Sequence, residues 1–161
     1  MGDSSDAPRF VLSFENVKAW CARQGYEFRA NDEAGQLAIN YQLLGQQAPL
    51  LFLPQPSRGM VMLVMRQPFA VSPERRAAVL DACARLNVTS FMGAWVLNQE
   101  TGELFFRITI PALDIAYTDQ ALVHCARIVV GTSEKAAPAF KSIALDGADP
   151  AKAISAITLP S

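Results

Sequence analysis

The chain is poor in the side chains that most enzymes use for chemistry. Its 161 residues include a single histidine, His124, and three cysteines that never form a CxxC pair. Glycines are spread singly, so neither the GxGxxG nor the GxxxxGK[ST] phosphate-binding pattern occurs. These absences argue against a zinc site, a thiol redox site and a nucleotide-binding loop. We therefore expect no cofactor, no metal and no catalytic residue.

Long runs of one charge or of apolar residues are also missing. The formal net charge is -1 and the longest basic cluster is Arg75–Arg76, so nucleic acid is not an expected partner. The longest aliphatic run, Met60–Met65, has six residues, whereas a membrane-spanning helix needs about 20. Two aspartates precede the first apolar stretch, which is unlike a secretory signal. We expect a cytoplasmic protein with reduced cysteines and no membrane contact.

What the sequence does contain is the composition of one packed domain. Hydrophobic residues make up 51% and charged residues 18% of the chain. A chain of this length buries roughly 70% of the surface that it exposes when unfolded. We predict a flexible tail over residues 1–12, a single domain over 13–144, and a C-terminal tail over 145–161 with room for one short helical turn.

Capping residues and apolar spacing predict three helices. The first begins after Ser13, and the last begins at Thr118 with a kink or restart at Pro138. The middle helix begins at Ser72 and runs to Asn87. Its predicted inner face consists of Ala77, Leu80, Cys83 and Ala84. Such small side chains would let the helix lie close to the surface that it covers.

Alternating apolar residues predict strands on both sides of the middle helix. Tyr26–Ala30 and Leu37–Leu43 predict one hairpin. Phe91–Leu97 and Leu104–Ile110 predict a second. Leu50–Leu53 lies between two prolines and is predicted to be an edge strand or an ordered loop, because proline cannot donate to a sheet. The order α-β-β-β-α-β-β-α predicts an α+β fold with an antiparallel sheet.

Met60–Met65 is apolar at every position, which is unusual for a strand with one solvent-exposed face. Such a strand must be covered on both faces, either by its own helices or by another subunit. Methionine-rich surfaces also adapt to varied partners. Together with the small face of the middle helix, this strand defines a predicted partner-binding or dimer surface. Its residues are Met60, Met62, Val64, Ala77, Leu80 and Ala84.

A set of residues in the second hairpin and the last helix matches a known pattern. They are Val96, Leu97, Gly102, Glu103, Leu104, Phe106, Arg107, Ile110, Pro111, Thr118, Asp119 and Leu122. In this set, and more loosely over residues 13–140, the chain resembles the YbjN family, whose fold is similar to the class I type III secretion chaperones. The resemblance implies an α+β domain, usually homodimeric, that binds other proteins. Some members are named as bacterial sensory transduction regulators, and the family pattern supplies no catalytic position.

The expected function is therefore non-enzymatic binding of a protein partner, as a homodimeric chaperone, adaptor or regulator. An alternative from another class is a small-molecule or lipid-binding domain with a pocket beneath Trp95 and Phe106. An uncharacterised enzyme is the third hypothesis, and it needs a cluster of perturbed carboxylates in one cleft. His124 is expected on the solvent face of the last helix. The three cysteines, Cys21, Cys83 and Cys125, are expected on inner helical faces.

Overall fold

The computed structural model describes residues 8–157. The α-helices in this part of the chain are α1 (Phe14–Arg23), α2 (Arg76–Thr89), α3 (Asp119–Leu145) and α4 (Pro150–Ser155). Among these described residues, no helix combines the length and the apolar character needed to cross a membrane.

Ten short and long strands accompany the helices over the same residues. They are β1 (Arg9–Val11), β2 (Phe28–Asn31), β3 (Gln36–Ile39), β4 (Gln42–Leu43), β5 (Gln46–Gln47), β6 (Leu50–Gln55), β7 (Met60–Ala70), β8 (Ala94–Leu97), β9 (Glu103–Pro111) and β10 (Ala116–Thr118). Six of them form the main sheet in the order β2-β3-β6-β7-β9-β8, with every neighbouring pair antiparallel. The remaining strands form the pairs β1-β10 and β4-β5. The predicted α+β fold with an antiparallel sheet is confirmed.

One face of the main sheet carries the hydrophobic core. Successive side chains of a strand point to opposite faces, so one register row shows which face is which. The row on the core side is Leu37, Phe52, Leu63 and Ile108, all buried. Aromatic contacts tie helices to this face, with Trp20 of α1 against Phe52 and Phe140 of α3 against Trp95. Buried residues of α2 belong to the same core cluster.

The predicted starts of the first and last helices are present, whereas α2 begins at Arg76 and ends at Thr89 instead of running from Ser72 to Asn87. A short 3₁₀ turn over Pro73–Arg75 precedes it, and Ser72 makes no side-chain capping bond there. Ser13 Oγ accepts a hydrogen bond from Asn16 N at 3.2 Å, and Thr118 Oγ1 accepts one from Ala121 N at 3.1 Å. Each hydroxyl satisfies an amide that the first helical turn would otherwise leave without a partner. The two caps fix where α1 and α3 begin.

Strand β6 lies inside the sheet, where the sequence predicts an edge strand or a loop. It pairs with β7 along Leu50–Gln55 but with β3 only along Leu50–Phe52. Pro54 therefore lies at the end that has no second partner strand, where proline is tolerated. The predicted edge position is therefore correct for Pro54 and wrong for Leu50–Phe52, which has a partner strand on each side.

The loop before β8 also differs from the prediction. Phe91 is fully exposed and does not share a face with Trp95, because β8 begins only at Ala94. Gly93 causes the difference: its φ is +90°, and an added Cβ would lie 2.5 Å from the carbonyl oxygen of Arg107. The chain presses against β9 at this glycine and turns Phe91 outward.

Helix α3 passes through Pro138 and continues to Leu145, where the sequence predicts a kink or a restart. Pro138 and Glu134 are both on the exposed side. The carbonyl of Glu134, which would accept the missing hydrogen bond, can therefore be solvated instead. The buried side of the helix continues past the proline through Phe140 and Ile143.

Regular secondary structure also lies on both sides of the predicted domain over 13–144. Arg9–Val11 pairs with β10, although it falls in the tail predicted over residues 1–12. Helix α4 occupies the position of the predicted short turn, with Asp149 Oδ1 accepting from Lys152 N at 3.0 Å. Its Ile154 packs against the core. The rest of the two predicted tails, residues 1–7 and 158–161, lies outside the described residues.

Candidate protein-binding surfaces

The sheet face opposite the helices, here called the open face, contains the first candidate surface. Its side chains are those that alternate with the core-facing ones. They are Arg29, Asn31, Gln36, Ala38, Leu51, Leu53, Gln55, Met60, Met62, Val64, Arg66, Ala94, Val96, Glu103, Phe105, Arg107, Thr109 and Pro111. Half of them are aliphatic, methionine or aromatic, which is unusual for the solvent side of an antiparallel sheet.

The apolar centre of the open face is separate from the hydrophobic core. Leu51, Leu53, Met62 and Phe105 are half-buried, yet they are not part of the core cluster or of the residues packed against it. Val64 is only 4% exposed although it too lies outside that cluster. Its neighbours in register on the adjacent strands are Leu51 and Arg107. Within the described residues the sheet thus has a second apolar layer with no helix over it.

Arginines lie around this apolar centre. Arg66 forms an ion pair with Glu103 at 3.2 Å. Arg107 Nη1 lies 3.8 Å from Met62 Sδ, a contact that leaves the guanidinium at the surface. Arg29 Nη2 donates to Gln47 Oε1 at 3.4 Å. The open face therefore carries three arginines and one carboxylate, an excess of positive charge.

The second candidate surface is the outer side of α2, here called the α2 stripe: Ala77, Leu80, Ala84 and Val88. These positions are three or four residues apart and share one helical face. Ala77, Ala84 and Val88 are exposed, and Val88 is 87% exposed. Phe91, which is fully exposed, follows the stripe in the chain.

The predicted inner face of α2 is corrected by this arrangement. The buried residues are Val79, Ala82, Cys83 and Leu86. Cys83 is buried as predicted, and Leu80 is half-buried and packs against the core, whereas Ala77 and Ala84 are exposed. The helix is apolar on two sides, and the side with the larger Val79 and Leu86 removes more apolar surface from water when buried.

The six residues of the predicted partner or dimer surface are consequently divided between two surfaces. Met60, Met62 and Val64 lie on the open face, and the other three belong to the α2 stripe on the helix side of the sheet. Sequence reasoning missed Leu51, Phe105 and Arg107 on the open face. Their signal is the strict alternation within β6 and β9, which assigns every second residue to the side away from the core.

The cysteines and the histidine lie away from these two surfaces. Burial raises the pKa of the Cys21 and Cys83 thiols to about 12, and it raises the pKa of Cys125 as well. These thiols stay protonated and are poor nucleophiles. His124 is exposed on α3, as predicted. Among the described residues, no three His, Cys, Asp or Glu side chains lie close enough together to hold a metal ion.

The space beneath Trp95 and Phe106, proposed above as a ligand pocket, is filled by side chains. The two rings lie 5.3 Å apart between centroids, and the ring of Phe140 lies 4.5 Å from Trp95. All three are buried.

A shallow polar cleft of about 420 Å³, lined by Glu27, Arg29 and Tyr41 among others, lies at the other end of the sheet. Burial raises the pKa of Tyr41 to about 12, so its phenol stays neutral.

These features define an α+β domain with an antiparallel sheet, a helical layer on one side and an uncovered apolar face on the other. The model of the YbjN family, described as "Putative bacterial sensory transduction regulator", matches residues 13–142. The chain therefore belongs to the YbjN family. The family description names a regulator and no reaction.

Two solved structures are similar to the chain. The chain is similar to the crystal structure of YbjN, "a putative transcription regulator from E. coli", with a TM-score of 0.60 and 11% sequence identity over 95% of this chain and 100% of that chain. It is also similar to a chain of the HopA1-SchA chaperone-effector complex, with a TM-score of 0.49 and 12% identity over 73% of this chain and 88% of that chain. No curated protein matches the chain.

Proposed function

We propose that this protein is a non-enzymatic protein-binding domain that acts as a homodimer, in the manner of an adaptor, chaperone or regulator. In this proposal the open face holds a segment of a partner protein, and the α2 stripe joins two copies of the chain. The observation that carries the proposal is the apolar centre of the open face, which is isolated from the core. The regulator description of the family is consistent with it.

The open face supports partner binding because its apolar area is contiguous. Leu53 lies opposite Met62 in register, and Leu51 lies opposite Val64. Phe105 lies one strand further on, opposite Arg66. Contiguous exposed apolar patches on soluble proteins usually mark interaction sites. Flexible methionine side chains at such a patch can adapt to more than one partner sequence.

The α2 stripe supports self-association because it is suited to a two-fold axis. Ala77 and Ala84 are small enough to let two helices approach closely. Asp81 and Arg85, which pair within the helix at 2.8 Å, lie beside the stripe. Because this pair offers both signs of charge, the same surface can be complementary to a second copy of itself.

Light scattering tests the dimer directly. The expected mass is twice the 17.5 kDa of one chain. Ala84→Glu places a charge in the middle of the stripe and should yield a monomer, whereas Gln120→Glu on the exposed side of α3 should leave the dimer intact. A wild-type monomer at high micromolar concentration would contradict the homodimer.

Capture from the native host tests partner binding. The tagged chain should retain a protein that Met62→Glu loses and Gln120→Glu keeps, with both variants as folded as the wild type by circular dichroism. A partner retained equally by all three forms would remove the open face from the proposal.

The three reduced, buried cysteines fit the cytoplasmic location that we propose for the protein.

A further inference from the structure

Charge on the open face restricts the partner that it can hold. Of the residues on this face, all of which the structure describes, three are arginines and only Glu103 is acidic. Glu103 is already paired with Arg66. Arg107 and Arg29 have no ion-pair partner among the described residues. Glu27 lines the same cleft as Arg29 without forming an ion pair with it.

We infer that the open face is selective for an apolar peptide segment flanked by carboxylates, with Arg107 as the main specificity-determining residue. This inference deepens the proposed function and rests on it. The segment would place aliphatic side chains over the apolar centre and a carboxylate against the guanidinium of Arg107. Arg29 would receive a second carboxylate at the far edge.

Register fixes the distance between the two charges. Arg29, Ala38, Leu51, Val64 and Arg107 lie side by side on five successive strands. Neighbouring strands are about 4.8 Å apart, so the two arginine positions are separated by about 19 Å. Three apolar residues fill the interval. An occupant with its charges at a similar separation and an apolar middle matches this row.

The same charges argue against a second copy as the occupant. Two open faces in contact would bring Arg107 of both copies into one desolvated interface, where Glu103, the acidic residue on the strands of this face, is already paired with Arg66. Unpaired charge is costly to bury. Electrostatic complementarity sets which partner is accepted more than how tightly an apolar patch binds. The excess of positive charge therefore favours a partner that supplies carboxylates.

The arginines also have the right chemistry for this task. A guanidinium binds a carboxylate through two parallel hydrogen bonds in a fixed, planar geometry. Arg107 lies beside Val64 in register and its guanidinium contacts Met62, so the residue can contribute to the apolar contact and to the charge contact together.

A peptide library displayed on phage, with random twelve-residue sequences, tests the inference on the full chain. We expect enrichment of sequences with Leu, Ile, Met or Val between Asp or Glu residues. A synthetic peptide of the enriched class should bind Arg107→Gln about tenfold more weakly than the wild type, the effect of one charge-assisted contact. Its Gln-flanked analogue should bind both forms equally, and Arg127→Gln on α3 serves as the exposed-arginine control.

The outcomes separate the inference from the proposed function. Peptides that are enriched without acidic residues, but lose binding in Met62→Glu, would overturn the charge selectivity and leave the open face as the binding surface. Peptides insensitive to Met62→Glu would overturn both. A selection that enriches no peptide specific for the open face would also overturn the inference.

Discussion

The side-chain amide of Asn87 bonds both backbone groups of Trp95. Its Nδ2 donates to the carbonyl oxygen of Trp95 at 3.1 Å, and its Oδ1 accepts from the amide nitrogen at 2.7 Å. Trp95 lies in β8, the last strand of the main sheet. Asn87 thus takes the place of a further strand at this point and closes the edge to pairing with other chains.

Replacement of Asn87 by alanine should lower the free energy of unfolding by about 1–3 kcal/mol, because two part-buried backbone groups lose their partners. The amide of Trp95 should then exchange faster with solvent, as measured by NMR. Lys141→Ala, on the exposed side of α3, is the matched control and should stay within about 0.5 kcal/mol of the wild type. Unchanged exchange at Trp95 would mean that the edge is protected by something other than Asn87.

Two glycines should respond to alanine in opposite directions. Gly131 lies within α3, and a Cβ there would meet nothing within 4 Å, so Gly131→Ala should stabilise the protein by about 0.5–1 kcal/mol. Gly93→Ala should destabilise it by at least about 1–3 kcal/mol, because the added Cβ would overlap the Arg107 carbonyl. Thermal melts of the two variants measure both effects. Equal shifts would show that the loop at Gly93 relaxes freely.

The buried and exposed sides of α3 should differ sharply in their tolerance of truncation. Leu122→Ala should cost roughly 2–5 kcal/mol through lost burial and a cavity, since Leu122 is fully buried. His124→Ala should change stability by no more than about 0.5 kcal/mol. Denaturant titrations give both values. Loss of a cellular phenotype in a fully stable His124→Ala protein would place the histidine in a working site.

The three thiols should make the fold less stable in alkali. Their pKa is raised in the folded state, so the unfolded chain loses these protons first as the pH rises. The contribution is complete below about pH 8.5, the usual thiol pKa, and is lost as the pH rises toward the raised pKa of about 12 for Cys21 and Cys83. Cys83→Ala should flatten the fall in stability between these limits. An identical slope would contradict thiol burial as a cause.

Thiol reagents provide an independent check of the same burial. All three cysteines should label slowly in the native protein and together in denaturant. Rapid native labelling of Cys125 would show that α3 opens locally at that residue.

The sequence predicts those elements whose signals are local. A capping hydroxyl followed by an apolar stripe is sufficient for α1 and α3, because both the hydrogen bond and the buried face lie within the element. The part of the open face on β7 can be predicted for the same reason, because Met60–Met65 is apolar at every position and therefore predicts an apolar surface on both sides of the strand. Its other members on β6 and β9 become neighbours only through strand order, which no single segment contains.

The incorrect predictions for α2, for the loop at Phe91 and for β6 each have a specific structural cause. For α2, two faces of similar apolar character compete, and only the packing partners decide that Val79 is buried and Ala77 is exposed. For the loop at Phe91, an alternating pattern continues across Gly93, whose left-handed φ breaks the register. For β6, the missing partner at the Pro54 end is a property of the sheet and not of the strand.

The opposite placement of the open face and the α2 stripe has a consequence for stoichiometry. If two copies join through the stripe, neither open face is covered, so the assembled particle is bivalent. The dimer can bridge two partner molecules, or it can bind two motifs of the same partner molecule. In the second case the later contact forms within a single complex, and avidity can exceed the affinity of one face by roughly 10²–10⁴-fold without any new contact. A weak individual face would then suffice for long-lived capture.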